Sequence, residues 1–406
     1  MTTLLQEIPN ARSGSPQAPL SVYVHFPYCL HRCAYCDFAT AVAREIPREA
    51  YRLAIETELR IRTRDLAPRP ISTVFFGGGT PSLWGPDHVG LVLAWLDRWG
   101  GLPPGAEVTL EANPGATETG ALRGYAAAGV NRVSIGVQAL EDRRLRALDR
   151  LHDAATARST LAELGGLVAQ GVLRSASADL IFGGPGQTLQ DLQADVRGVL
   201  DHGLPHLSAY SLTVEAGTPL HERVARGLQA APDDGLQGEM LEALPGLAAG
   251  YGLDRYEVSN FAKPGHTCAH NLAYWTGQHY LAVGVGAHGY LPAGGRAGLC
   301  GVRYGNARGH RDWLAALERG ELCEELREDI DPDSHLSERL LTGLRLEAGL
   351  DLQRLRTDVG GPLVDGLLAR ARSAQRQGVP VDVEDGHLRL RPQAMRWLDR
   401  AVLALA

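Results

Sequence analysis

Chemistry is first assignable at Cys29, Cys33 and Cys36, within Cys29-Leu30-His31-Arg32-Cys33-Ala34-Tyr35-Cys36. Three thiols on one short loop suit a metal centre. Thiolate is a soft ligand, and each sulfur can take one iron of a cubane iron–sulfur cluster. Such clusters normally have four cysteine ligands. The other cysteines, Cys268, Cys300 and Cys323, lie far along the chain, so one iron is left open for a cosubstrate. Structural zinc, with His25 or His31 as a fourth ligand, is the alternative reading of the same spacing. Zinc knuckles usually come in pairs, and the sequence has no second pair.

The loop follows an apolar strand, Ser21–Phe26, and a strand–helix rhythm begins there. Strands are predicted at Ile71–Phe76, Glu107–Glu111, Asn131–Val137, Ser177–Phe182 and Leu207–Leu212. Helical patterns fill the intervals, near 47–64, 86–99, 117–128, 140–170 and 188–202. Strands alternating with helices imply a parallel sheet with helical crossovers. A partial TIM-like (β/α)6 barrel fits six such units. In such a barrel the active site gathers at the C-terminal ends of the strands, where the cysteines stand. Beyond about residue 300 the rhythm stops. Helical patterns near 309–319, 335–346 and 362–377 precede an alternating hairpin, Val379–Leu390, and a last helix over 393–404. A small, mostly helical, winged-helix-like C-terminal domain is expected. The expected divisions are a disordered leader over 1–19, the barrel over 20–230, a barrel extension over 231–305 and the C-terminal domain over 306–406.

Composition narrows the function. The chain has 406 residues, 44% hydrophobic and 21% charged, with a net charge of −7 and no basic cluster. Nucleic acid is disfavoured as a partner, because phosphate binding needs a concentrated Lys/Arg footprint. No apolar run is long enough to span a bilayer, and the N-terminus lacks the basic start and apolar stretch of a signal peptide. A cytoplasmic location is expected, with any membrane contact peripheral.

Several segments together resemble the radical S-adenosylmethionine (SAM) superfamily. CxxxCxxC follows the first strand, with Tyr35 before the last cysteine, and Gly77-Gly78-Gly79-Thr80-Pro81 follows the second strand. The fuller resemblance is to the coproporphyrinogen III dehydrogenase-like branch, which contains HemN and HemW. It rests on Tyr23–Pro27, Glu111-Ala112-Asn113-Pro114, Gly136-Val137-Gln138, Asp179–Gly183 and Gly284–Gly289, and spans roughly residues 20–400. It implies a 4Fe–4S cluster on the three cysteines, with SAM on the open iron and reductively cleavable. It further implies that Gly78, Gly79, Thr80, Glu111 and Arg150 hold the methionine end, that Gln138 and Asp179 serve the ribose, and that Tyr23 and Tyr35 stand near the cluster. Taken singly, these residues have plainer readings. The glycines suit a tight turn, the carboxylates helix caps, Gln138 backbone groups and Arg150 a surface ion pair.

Within that branch, HemN-type decarboxylases carry a further cysteine two positions after the cluster motif, where this chain has Phe38. Cys36-Asp37-Phe38 and His270-Asn271-Leu272-Ala273-Tyr274-Trp275 (HNxxYW) instead resemble HemW-type heme chaperones. That resemblance implies heme binding, with His270 on the heme iron, Tyr274 and Trp275 against the porphyrin, and heme passed from a donor to an acceptor protein, respiratory proteins included. Cys268 lies close by, but there is no C-x-x-C-H attachment motif; His266 and His288 are weaker candidates. No catalytic residue is assigned, and enzymatic turnover stays open. The alternative is oxygen-independent coproporphyrinogen III dehydrogenase activity.

Overall fold

Along the barrel strands, apolar residues alternate with polar or aromatic ones, and the two sets face opposite ways. Val22, Val74, Val108, Leu110, Val133, Ile135, Ala176, Ala178 and Leu207 are buried in the main core. Their neighbours Tyr23, Phe75, Thr109, Ser134, Ser177 and Asp179 share the other face, in register across adjacent strands. A period-2 alternation with both faces occupied is what a parallel sheet curled around a polar lumen requires.

The computed structural model describes residues 18–115, 121–391 and 393–406. Most of the leader expected over 1–19, and the start of the helix expected at Thr117, lie outside them. The chain opens with β1 (Leu20–Phe26), followed by two short strands of the cysteine loop, β2 (Tyr28–Cys29) and β3 (Ala41–Val42). Alternating elements follow: α1 (Arg48–Thr63), β4 (Ile71–Gly78), α2 (Pro86–Gly100), β5 (Glu107–Ala112), α3 (Leu122–Ala127) and β6 (Arg132–Gln138). Then come α4 (Asp142–Ala147), α5 (Ala154–Ala169), β7 (Ser175–Phe182), α6 (Leu189–Leu200) and β8 (His206–Ser211). The parallel order β1-β4-β5-β6-β7-β8 is the expected six-unit partial barrel. Caps mark its helices: Asp153 accepts from Thr156 N–H at the start of α5, and Thr188 and Asp191 form a capping box on α6.

An extension lengthens the sheet at both ends. It comprises α7 (Pro219–Ala225), α8 (Asp234–Ala249), β9 (Asp254–Glu257), β10 (Asn260–Ala262), α9 (Ala269–Trp275), β11 (Tyr280–Val283), β12 (His288–Leu291) and β13 (Gly301–Asn306). Strand β10 adds antiparallel to β8, while β11 adds parallel to β1. Buried Glu58 of α1 ties the extension down by accepting from Arg62, Asn306, Trp313 and the N–H of Gly284.

After α10 (His310–Glu318), β14 (Glu324–Ile330) pairs with β13 and forms one edge of the twelve-stranded sheet. The C-terminal unit then has its own core, built by α11 (Pro332–Gly343), β15 (Leu350–Asp351), α12 (Leu352–Val359), α13 (Gly361–Arg376), the hairpin β16 (Val381–Glu384) and β17 (His387–Leu390), and α14 (Leu398–Leu405).

Candidate cofactor site at the barrel mouth

A cavity of about 480 Å³ opens where β1, β4, β5, β6 and β7 end, and Cys29, Cys33 and Cys36 form one wall of it. The glycine run of β4 explains how the loop reaches that place. A Cβ on Gly79 would lie 2.8 Å from the backbone of Pro27 and Tyr28, and one on Gly78 (φ +113°) 2.5 Å from the His25 ring. Only glycine lets β4 pass this close to the loop, so the close approach is first of all to the cysteine loop itself. The backbone fastens it: Gly79 N–H donates to Phe26 O and Thr80 N–H to Tyr28 O.

Side chains hold the thiols directly. Thr80 Oγ1 donates to Cys29 Sγ at 3.4 Å and accepts from Asn113 Nδ2 at 3.0 Å. Arg150 donates from Nη1 to Cys33 Sγ at 3.4 Å and from Nη2 to Gly136 O at 2.7 Å, with Asn113 Oδ1 as a further acceptor. Arg150 is thus no surface ion pair; it spans the cysteine loop and the ends of β5 and β6. Burial pushes the Cys29 thiol up to about 11 and raises that of Cys36, the neighbouring thiols adding to both. Neutral thiols packed together become thiolates when a cation takes them.

Among the described residues no three Cys, His, Asp or Glu side chains sit close enough to share one metal ion. His25 is engaged elsewhere: Nδ1 meets Tyr23 OH at 3.0 Å and Nε2 meets Ala39 O at 2.9 Å.

Opposite the cysteines, two carboxylates face each other in the lumen. Asp179 accepts from Ser134 Oγ at 3.0 Å, and Glu111 accepts from Gly78 N–H at 3.0 Å. Burial, reinforced by the charge of Asp179, pushes Glu111 up to about 8; burial also raises Asp179. Gln138 lies on the same wall with a left-handed backbone (φ +65°), an unfavourable conformation for a non-glycine residue and one that clusters at functional sites. Gly78, Gly79, Thr80, Glu111, Gln138, Arg150, Asp179 and Tyr35 therefore all line this cavity. Tyr23 lies outside its wall, stacked on Phe75 in the lumen below. Asn113 and Ser134 were not singled out from the sequence. Asn113 stood in a quoted strand-end segment, and Ser134 had only its inward register to mark it.

The HNxxYW segment lies at the other end of the barrel. Helix α9 plugs the base, and Glu107 at the start of β5 accepts from the N–H groups of Ala269 and His270 and from Cys268 Sγ. His270 is buried, with Nδ1 2.7 Å from Thr73 Oγ1 and Nε2 2.8 Å from Tyr274 OH. Burial lowers its pKa to about 3. In this arrangement both ring nitrogens are engaged and His270 is a core histidine. Tyr274 and Trp275 line a second cavity below the plug. The sequence could not show that α9 passes beneath the barrel, because that path is set by long-range packing.

Comparison with known proteins agrees with this architecture. The family model described as the radical SAM superfamily matches residues 23–198, and that of the HemN C-terminal domain matches 330–397. The chain is 36% identical over 360 residues to the heme chaperone HemW of Mycobacterium tuberculosis, covering 87% of this chain and 89% of that protein. It is 33% identical over 353 residues to heme chaperone HemW of Bacillus subtilis, covering 86% and 88%. Over 367 residues it is 37% identical to the mitochondrial radical S-adenosyl methionine domain-containing protein 1 of Bos taurus, covering 86% and 77%. Among solved structures, Escherichia coli coproporphyrinogen III oxidase (HemN), a radical SAM enzyme, shares the fold with a TM-score of 0.80 at 19% identity, over 97% of this chain and 91% of that one. With its cysteine loop at the barrel mouth and its kinship running nearly end to end, the chain belongs to the HemW heme chaperone family within the radical SAM superfamily.

Proposed function

We propose that this chain is a heme chaperone that carries a 4Fe–4S cluster on Cys29, Cys33 and Cys36 with exchangeable SAM, and passes heme to an acceptor protein. The observation that carries the reading is the near full-length match to proteins named heme chaperone HemW. The mouth supports the cofactor part. When bound, the cluster supplies an electron to SAM; the chain's own residues hold and orient. Arg150 fixes Cys33 and screens the charge on the loop. Thr80, Gly78, Gly79 and Glu111 meet the methionine end. Asp179, held by Ser134, and Gln138 accept from ribose hydroxyls, with Tyr35 beside the loop.

Heme is the cargo. For His270 to take heme iron, its Nε2 has to exchange the bond to Tyr274 for the metal, with Tyr274 and Trp275 against the macrocycle. The workplace is the cytoplasm, with unidentified heme donor and acceptor proteins; among the described residues no helix is long and apolar enough to cross a membrane. The test is an anaerobic heme titration of the wild type and His270→Ala, read at the Soret band. Saturable binding, weakened or spectrally altered by the substitution, is expected. No binding by the wild type defeats the chaperone reading and directs the next assay to coproporphyrinogen III.

A further inference from the structure

Below the plug helix, between α9 and α11, the second cavity measures about 350 Å³, within the range of small-ligand sites. Its walls are aromatic, with Tyr274, Tyr280 and Tyr290 prominent, and the Tyr274 and Tyr280 rings meet edge to face at 4.5 Å. From α11 comes Arg339, only 5% exposed. Its Nη1 donates to Trp275 O and Thr342 Oγ1, both at 2.6 Å, and among the described residues it has no carboxylate partner. Arg62 and Arg144, by contrast, hold carboxylates, Glu58 and Asp195.

The surroundings work against the Arg339 charge. Burial lowers its pKa to about 10, and Arg354 acts in the same direction against weaker pulls from Asp358, Tyr290 and Asp351. The other cation of the cavity, Arg303, is already clasped by both oxygens of Glu338. Two more polar groups on the wall are buried without a hydrogen bond, Trp275 Nε1 and His335 Nε2, the latter 3.9 Å from Asp358. The site is built around the arginine: a Cβ on Gly277 (φ +67°) would lie 2.6 Å from Arg339 Cδ. Aromatic walls and a buried guanidinium with no carboxylate in hydrogen-bond contact make a receptor for a flat ligand that ends in a carboxylate.

We propose that this cavity binds the propionate-bearing edge of heme, with Arg339 as the carboxylate clamp. The ligand's identity rests on the heme reading above; the clamp is a separate statement. Tyr274 joins the two, since it is part of the cavity wall and hydrogen-bonded to His270.

The test titrates hemin, iron-free protoporphyrin IX and hemin dimethyl ester into the cluster-loaded full chain, read by porphyrin absorbance and quenching of intrinsic fluorescence. Masking the propionates as esters should weaken binding to the wild type about 10- to 100-fold, the size of one charge-assisted contact. Arg339→Gln should weaken hemin and protoporphyrin by a similar factor and leave the ester unchanged, with Arg339→Lys intermediate. An ester that binds the wild type as tightly as hemin overturns the clamp, as does hemin affinity unaltered in Arg339→Gln; wild-type hemin binding then leaves the heme reading intact. A wild type that binds none of the three overturns both. Should Arg339→Gln not fold, the ester comparison on the wild type decides alone.

Discussion

The two ends of the barrel are built from the same strands and treat polar groups in opposite ways. At the mouth, thiols, a carboxylate pushed up to about 8 and a buried arginine surround open space. At the base, Glu107, Arg132, Ser175, His206, Tyr256 and Cys268 are joined by hydrogen bonds to one another and to α9. Buried polar groups that satisfy each other specify a structure, whereas groups left facing a cavity are poised for a ligand. The contrast divides the HNxxYW segment itself: His270 belongs to the sealed plug, while Tyr274 and Trp275 reach the second cavity.

The largest effect that tests this contrast is expected at the mouth. Cys33→Ala should reduce iron and sulfide after anaerobic reconstitution to near zero while leaving the urea midpoint of the apo-protein almost unmoved; undiminished iron would show that the loop does not hold the cluster. The base should respond in reverse. Glu107→Leu strands the donors of α9 and should cost about 3 kcal/mol in urea unfolding without lowering iron per folded molecule. An unchanged midpoint would mean that the plug does not depend on this carboxylate.

A smaller effect belongs to the lumen wall. Asp179→Ala should raise the SAM dissociation constant about tenfold or more at unchanged iron content, as loss of a charged acceptor predicts. An identical constant would remove Asp179 from the ribose site. The smallest effect is in pH dependence. Burial holds the pKa of His206 well below its ordinary value of 6.5 and that of His279 at about 4. Each stays neutral in the fold and protonates on unfolding, so its stabilisation is full above pH 6.5 and declines as pH falls toward the folded value. Glu111 has the opposite sign: its share is present below pH 4.5 and is lost as pH rises through about 8. His206→Asn should therefore make the acid limb of stability against pH shallower, by about 1.4 kcal/mol per pH unit below 6.5. An unchanged slope would show that His206 does not titrate with unfolding.

Much of the barrel was legible because buried parallel strands read as short apolar runs ending at glycines, as in Ile71–Gly78. Strand β14 was not. Its sequence, Glu-Glu-Leu-Arg-Glu-Asp-Ile, carries the charges of an exposed edge and no apolar alternation, so it shows no strand pattern. Helix α12 was missed because eight residues bury only Leu352, Leu355 and Val359. The cysteines and the strand-end residues at the mouth could be read in order because loops there follow strands directly. The plug, the Asn113 bridge and the Arg339 cavity arise between residues remote in sequence, where spacing carries no information.

The fastening of the cysteine loop has a consequence for residues far from it in sequence. Gly79, Thr80 and Arg150, together with Arg308 donating to Asp37 O, hold the loop. The loop is therefore moored to the ends of β4, β5 and β6 and to the segment after β13. A substitution at any of these moorings, however remote from the cysteines in sequence, is felt at the thiols.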